Sequence, residues 1–356
     1  MTQAQQDKIR KLLATGELEG ALVEWVQGVN AANDAELIKT STTLQSRYSR
    51  LETNKAKGII SAEAYNLEYN QILNDLLDLL NNQSQSNLLH LHHSYTCDRS
   101  PQTQAFNAQL QATADQRVQF FYLYGGDLHL HTGMFRRIVL DLEGRSLDYL
   151  NAGLAVACKV KSIEITFEGY EPLEDYKTEL LKGIFAAFAL QPNQLGPLLS
   201  RKLTDIVQHS PQVRDLTGMD YVCVYINIDK YSWYSDHTPE AARWFMEEFC
   251  NVPLNANQPR MLFFFSVEFE EEDADLAQDV RDKVDDNPKI QALPELNKVA
   301  LADIDRWLGK HKKIQPDPRE RKKILQERFN GAPDHYMIDV QETLQELIKS
   351  YNDGLG

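Results

Sequence analysis

The first eighty residues repeat apolar side chains at intervals of three and four, the spacing of one face of an α-helix. One such stripe contains Leu18 and Trp25, and further stripes cover residues 34–57 and 65–80. Helices this short become stable when their apolar faces pack against each other. The pattern therefore predicts one small bundle of helices over residues 1–82.

Glycines and a serine mark the ends of these predicted helices. Gly16 follows the first short helix and Gly58 follows the third, where a left-handed C-cap is favoured. Ser61 is a good N-cap for the fourth helix. The polar run Asn81–Asn87 comes next, and its composition predicts a structureless tether. We place a linker at residues 83–94.

Short apolar and aromatic runs alternate with helical patterns from about Tyr95 onward. Four runs are rich in β-branched and aromatic residues: Phe120–Tyr124, Ile163–Phe167, Tyr221–Ile228 and Met261–Phe269. Helical stripes lie between them, for example over residues 178–189 and 239–250. This alternation predicts a mostly parallel sheet covered by helices over residues 95–356. The expected fold class is thus a helical bundle followed by an α/β domain.

Composition narrows the range of partners and compartments. The formal net charge of −15 would repel a phosphate backbone, so nucleic acid is a poor default partner. No window reaches the roughly 18 consecutive apolar residues of a membrane span, and the first residues lack the apolar core of a signal peptide. The four cysteines include no C-x-x-C pair. We expect them to be reduced, which favours a cytoplasmic protein.

The turn after the first predicted strand fits the frame of a P-loop, G-x-x-x-x-G-K-[ST], which cradles phosphates between a strand and a helix. The frame runs from Gly125 and Gly126 to Thr132, but Leu130 replaces the second glycine and His131 replaces the lysine. Leucine adds a Cβ where close approach is needed, and histidine is mostly neutral at pH 7. We therefore expect a degenerate nucleotide loop that does not hydrolyse ATP or GTP. Nucleotide binding without hydrolysis is an open alternative.

Other candidate chemistry has less support in the sequence. Ser266 stands where a metal-binding aspartate would follow the fourth strand's apolar run. The histidines at 90–93 and in the turn could meet around zinc, but thiolates at zinc-site spacing are missing. Cys97 has no evident base beside it, so it is a poor nucleophile. We expect no catalytic residue, no metal and no cofactor.

The segment that follows Cys97 suits a structural role. Asp98 and Arg99 are expected to form a buried or half-buried ion pair near the turn. Gln102 is expected to anchor the same region by hydrogen bonds.

These features match two known families. Residues 1–80 resemble an effector-associated domain of the eleventh type, and residues from about 95 onward look like an inactive STAND domain, a degenerate relative of the signal-transduction NTPases. The marks of the first are Ile9–Leu13, Gly16–Glu19, Ser46–Tyr48, Gly58–Ser61, Asn70, Ile72 and Leu76–Leu80. The marks of the second are Cys97–Arg99, Gln102, Phe106, the FFYLYGGD turn, Trp244–Phe245, Glu248–Cys250, Phe263–Phe265 and Leu293–Leu296.

The resemblance implies a role in bacterial conflict systems, meaning antiphage defence or programmed cell death. Effector-associated domains are death-domain-like adaptors, thought to pair with copies fused to effectors such as proteases. The inactive STAND domain, on a P-loop-like plan, would be a scaffold or sensor platform that no longer hydrolyses nucleotide. The expected protein is a non-enzymatic adaptor. A nucleotide-binding switch and a hydrolase using Cys97 or a histidine pair are the alternatives.

Charged residues of the bundle offer complementary faces for such homotypic pairing. Arg47 and Arg50 would form a basic face, and Glu17 and Glu19 an acidic one. The expected partner is an effector that carries a matching domain, with no nucleic acid and no membrane involved. Self-association of the chain is compatible with the same pairing. The competing interpretation is that these residues form an ordinary solvated surface.

Overall fold

Four consecutive helices begin the chain in the computed structural model, which describes residues 3–32, 35–144, 158–166, 168–191, 197–284 and 286–354. They are α1 (Gln3–Ala14), α2 (Leu18–Ala32), α3 (Ala35–Ala56) and α4 (Ala62–Asn87). Their buried side chains form one apolar cluster. Trp25 lies fully buried in it and donates from Nε1 to Ser41 Oγ at 2.7 Å. The helical character predicted for this region is confirmed.

The ends of these helices follow the predicted signals. Gly16 and Gly58 have φ angles of +80° and +65°, a left-handed conformation that glycine adopts without a Cβ penalty. Ser61 Oγ accepts a hydrogen bond from the backbone N–H of Ala64 at 3.2 Å, which caps α4. The predicted left-handed C-cap at Gly58 and N-cap at Ser61 are therefore confirmed, and Gly16 follows the first helix as predicted.

The polar run after the bundle differs from the prediction. Asn81–Asn87 is helical, because α4 continues through it, and a 3-10 helix follows at Leu91–Thr96. The expectation of a structureless run is wrong for a physical reason. The run contains neither glycine nor proline, and asparagine, glutamine and serine only mildly disfavour a helix. The chain divides into two units, residues 1–89 with 349–356 and residues 90–348.

The second unit contains a five-stranded parallel sheet. Its strands are β1 (Val118–Gly126), β2 (Val160–Thr166), β3 (Tyr221–Ile228), β4 (Arg260–Phe269) and β5 (Gln291–Ala292). Their spatial order is β2-β3-β4-β1-β5, and every pair is parallel. The four predicted apolar runs coincide with β1 to β4, apart from Phe167, which lies outside the described residues. The predicted α/β class with a parallel sheet is confirmed.

Helices and strands share two apolar clusters in this unit. The first contains Phe121 and Phe264 of the sheet with side chains of α5 (Ser100–Ala112) and α6 (His131–Leu142). The second contains Phe263 and Phe265 with side chains of α7 (Leu173–Ala187), α8 (Leu203–His209), α9 (His237–Trp244) and α10 (Ala274–Val284). A π-helical turn, Phe245–Phe249, continues α9. Because successive side chains of β4 point to opposite faces and both faces are covered, the run Met261–Phe265 is apolar without interruption.

The elements after the sheet are smaller. They are an antiparallel pair, β6 (Val299–Ala300) and β7 (Asp334–His335), and three helices, α11 (Leu301–Lys310), α12 (Pro318–Arg328) and α13 (Met337–Asp353). Trp307 and Leu308 are buried in α11. Among the helices that the structure describes, none combines the length and apolarity needed to cross a membrane.

Candidate functional site

The turn that the sequence singles out lies at the carboxyl edge of the sheet, where open α/β sheets bind ligands. β1 ends at Gly126, residues Asp127–His129 form one 3-10 turn, and α6 begins at His131. Leu130 joins the two with a φ angle of +52°, a left-handed conformation that is uncommon for a leucine. The order of strand, turn and helix is thus that of a phosphate-binding loop. The contacts inside the turn decide what it can bind.

Both glycines of the turn make room for protein atoms. A Cβ on Gly125 would lie 2.6 Å from the carbonyl oxygen of Leu296, and a Cβ on Gly126 would lie 2.9 Å from Glu271 Cγ. Real Cβ atoms do not approach other atoms so closely, so each glycine is explained by the close approach of another segment. The residues that suggest phosphate binding in the sequence therefore serve internal packing.

His131, at the position of the P-loop lysine, is 1% exposed. Its Nε2 donates to the carbonyl oxygen of Gly126 at 3.2 Å, because that oxygen can only accept. Its Nδ1 consequently accepts from the hydroxyl of Ser266 at 2.9 Å, and Ser266 accepts from Tyr225 OH at 3.0 Å. Burial lowers the pKa of His131 to about 3, so the ring is neutral at pH 7. A histidine held in this way offers no positive charge to a phosphate.

His129, in the same turn, is also buried and binds a carboxylate. Its Nε2 lies 2.7 Å from Glu271 Oε1 and must donate, because an ionised carboxylate only accepts. Burial lowers the pKa of His129 by more than the bond to Glu271 raises it. Partial burial acts to raise the pKa of Glu271, but the hydrogen bonds from His129 and Tyr336 outweigh it, and that pKa is lowered. Glu271 is therefore ionised and His129 neutral at pH 7.

Arg99 supports the turn from the interior. Its guanidinium, 2% exposed, donates to the carbonyl oxygens of His129 at 3.1 Å and of Asn297 at 2.8 Å. Asp98 Oδ2 lies 3.9 Å from Arg99 Nη1, and Gln102 Nε2 donates to a backbone carbonyl at 3.0 Å. The predicted ion pair and hydrogen-bonding anchor near the turn are thus confirmed. Arg99 is committed to backbone oxygens, and burial lowers its pKa to about 10, which leaves it charged.

Acidic groups gather at the carboxyl edge of the sheet. Burial, together with the charges of Asp127 and Asp229, raises the pKa of Glu268 to about 7, although the Tyr225 hydroxyl, 3.4 Å from Oε1, acts in the opposite direction. Asp127 itself is exposed in the turn. The exposed Asp127, together with a Glu268 that is about half ionised at pH 7, gives this edge a negative character that disfavours a polyanionic nucleotide at the turn.

Cys97, the candidate nucleophile, is fully buried. Burial raises the pKa of its thiol to about 12, so the reactive thiolate is not populated at neutral pH. The other cysteines are also unpaired thiols, and burial raises the pKa of Cys158, Cys223 and Cys250. Within the described ranges, no three histidine, cysteine, aspartate or glutamate side chains are grouped to hold a metal ion.

Comparison with protein-family models covers both parts of the chain. A model described as effector-associated domain 11 matches residues 4–84, and a model described as inactive STAND matches residues 94–266. The chain joins an effector-associated domain 11 to an inactive STAND domain. The two matches follow the order that the sequence marks indicate. Comparison with curated proteins found no match.

The four residues of the effector-associated domain that were predicted to bind a partner differ in their exposure to solvent. Arg47 is 30% exposed in its side chain and binds Asp75 Oδ2 at 2.7 Å, so it joins α3 to α4 within the domain. Arg50 is 71% exposed and lies 3.9 Å from the nearest carboxylate. Glu17, just before α2, and Glu19, in its first turn, are both exposed. Arg50 and the two glutamates are therefore accessible, whereas Arg47 has a structural role.

Sequence reasoning missed the groups that meet over the turn of the inactive STAND domain. Glu271, Lys298 and Tyr336 all lie beyond the residues matched by the family model. Glu271 contacts His129 across 142 positions of the chain, and local patterns carry no signal for such a pair. The one local signal was the acidic stretch Glu268–Asp275, which by itself suits a solvated loop.

Proposed function

We propose that this chain is a non-enzymatic adaptor in a bacterial conflict system, such as antiphage defence or programmed cell death. The effector-associated domain would pair with a matching domain on a separate effector, for example a protease. The inactive STAND domain would be the sensing or assembly platform. The order of the two family matches supports this arrangement. The main observation in support of a non-enzymatic role is that a neutral, buried histidine, His131, replaces the lysine of a P-loop.

Phosphoryl transfer makes demands that this turn does not meet. The reaction depends on positive groups and a metal ion that neutralise charge on the transferred phosphoryl group. Here the lysine position holds a neutral ring that bonds to Gly126, and Ser266 at the metal-binding position donates to that ring. The nearby side chains Asp127 and Glu268 add negative character instead.

A switch that binds ATP or GTP without hydrolysis is the alternative function. Such a switch needs a turn whose backbone N–H groups can reach a phosphate. Glu271 instead approaches Gly126 so closely that a single methyl group would not fit between them. This contact favours the adaptor over the switch.

Charge reversal in the effector-associated domain tests the adaptor. Arg50 is the residue of choice, because reversing Arg47 would also break its ion pair with Asp75. We expect Arg50→Glu or Glu19→Lys to weaken binding to an effector with a matching domain about tenfold, as measured by co-purification and titration. Lys322→Glu is the matched control, since Lys322 is exposed in α12 of the other unit.

The rescue experiment separates pairing from general charge effects. A complementary reversal on the effector's domain should restore binding to Arg50→Glu but not improve binding to Lys322→Glu. Unchanged co-purification of Arg50→Glu and Glu19→Lys would count against pairing through these faces. Equal losses in Arg50→Glu and Lys322→Glu, with the opposite change in Glu19→Lys, would indicate a long-range charge effect instead.

A further inference from the structure

Three hydrogen-bond or charge donors converge on the carboxylate of Glu271. His129 Nε2 lies 2.7 Å from Oε1, while Tyr336 OH lies 3.0 Å and Lys298 Nζ 3.5 Å from Oε2. The His129 side chain is 2% exposed and Glu271 is 32% exposed. His129 thus forms the buried side of the contact, whereas the Lys298 side chain, 40% exposed, lies at the surface beside the carboxylate.

Contacts that do not involve Glu271 also hold these donors in place. The backbone of His129 is fixed by the guanidinium of Arg99 at 3.1 Å, and its ring lies 5.8 Å from the Tyr336 ring, centre to centre. Lys298 Nζ lies 4.2 Å from the centre of the Tyr336 ring, a cation–π distance. Because the donors support one another, the arrangement is preorganised for an acceptor, which lowers the cost of binding one.

We propose that His129, Lys298 and Tyr336 form an oxyanion-binding site, and that Glu271 is its internal occupant. One ammonium and two neutral donors suit either a carboxylate or a phosphate oxygen, since charge-assisted hydrogen bonds are the strong ones. Gly126 belongs to the site because its missing side chain leaves the space for Glu271 Cγ. Removal of the Glu271 carboxylate opens the site to a free oxyanion. This assignment does not depend on the adaptor function.

Thermal unfolding of the full chain tests the site with two probes, sodium acetate and inorganic phosphate. Glu271→Ala leaves the three donors without their acceptor, so we expect its Tm to lie below that of the wild type. Either probe should then raise the Tm of this variant by about 3 °C relative to sodium chloride at equal ionic strength. The wild type should show no such rise, because its own carboxylate fills the site.

Two further variants distinguish a built site from a general salt effect. Glu272→Ala removes the same charge from an exposed neighbour and should respond like the wild type. Adding Lys298→Ala to Glu271→Ala should abolish the response to both probes. A response to phosphate alone identifies a tetrahedral oxyanion site, and a response to both identifies a site that also takes carboxylates.

Three results would overturn the assignment. They are no response of Glu271→Ala to either probe, an equal response of the wild type, and a response that survives Lys298→Ala. If Glu271→Ala does not fold by itself, refolding it with and without the probes decides the question. Recovery with acetate or phosphate but not with chloride supports the site, and failure in all three contradicts it.

Discussion

Glu268, at the carboxyl end of β4, titrates in surroundings that disfavour its negative charge. Burial and the charges of Asp127 and Asp229 raise its pKa to about 7, from an ordinary value of 4.5. Between pH 4.5 and 7, the Glu268 carboxyl is therefore mostly protonated in the folded state and mostly ionised in the unfolded state. The contribution of Glu268 to the free energy of unfolding is therefore most favourable below pH 4.5 and is lost as the pH rises through 7.

Glu268→Gln should remove this penalty because the amide is neutral at every pH. We expect the variant to be more stable than the wild type by about 2 kcal/mol at pH 8 and by little at pH 4.5. Urea denaturation at both pH values measures the difference. Glu272→Gln, at an exposed position, should show no comparable change between the two pH values. A gain for Glu268→Gln that is equal at both would exclude titration of Glu268 as its cause.

The helix ends of the effector-associated domain offer a test in which the same added methyl group has opposite effects. Gly58 has a φ angle of +65°, and a Cβ there would meet no atom within 4 Å, so only backbone strain opposes Gly58→Ala. We expect a loss of about 1 kcal/mol. Gly20 lies inside α2, and its Cβ would make ordinary contacts with Leu12 at 3.7 Å. Gly20→Ala should therefore stabilise by up to about 1 kcal/mol.

Denaturant unfolding of the first unit measures both substitutions. The pair controls for the added apolar surface, because each variant gains the same methyl group. If Gly58→Ala is as stable as Gly20→Ala, then α3 does not end in a left-handed residue in solution, and the predicted cap is not what terminates it.

Elements were predictable where a local signal fixes them. The apolar runs of β3 and β4 give the strands nearly to the residue, because both faces of these central strands are covered. The end of α4 was not predictable from polarity, since a polar run without glycine or proline can remain helical. In the turn, the presence of a histidine at position 131 is enough to predict a side chain that is mostly neutral at pH 7. Its burial, and its bond to Ser266, depend on the folded sheet and leave no mark in the local sequence.

At the scale of the whole chain, charge and packing act in the same direction against nucleotides. The molecule carries a formal charge of −15, and the carboxyl edge of its sheet adds Asp127 and Glu268 to a turn already covered by Glu271. A nucleotide present at 100 times its Kd would stabilise the folded chain by about 2.7 kcal/mol. Because charge and packing both disfavour binding, we expect no such stabilisation. Millimolar ATP or GTP with Mg²⁺ should leave the Tm of the full chain unchanged.

Restoring the P-loop residues should not restore nucleotide binding. His131→Lys places an ammonium where the ring is 1% exposed and bonded to Gly126, so we expect a loss of about 3–5 kcal/mol in stability. The thermal response to nucleotide should stay flat in this variant and in Leu130→Gly. Sodium chloride at equal ionic strength is the necessary control, because salt alone screens repulsion within so acidic a chain. A rise in Tm that depends on nucleotide in the wild type would favour the switch. A rise only in Leu130→Gly would mean that the left-handed leucine, rather than the buried histidine, closes the turn.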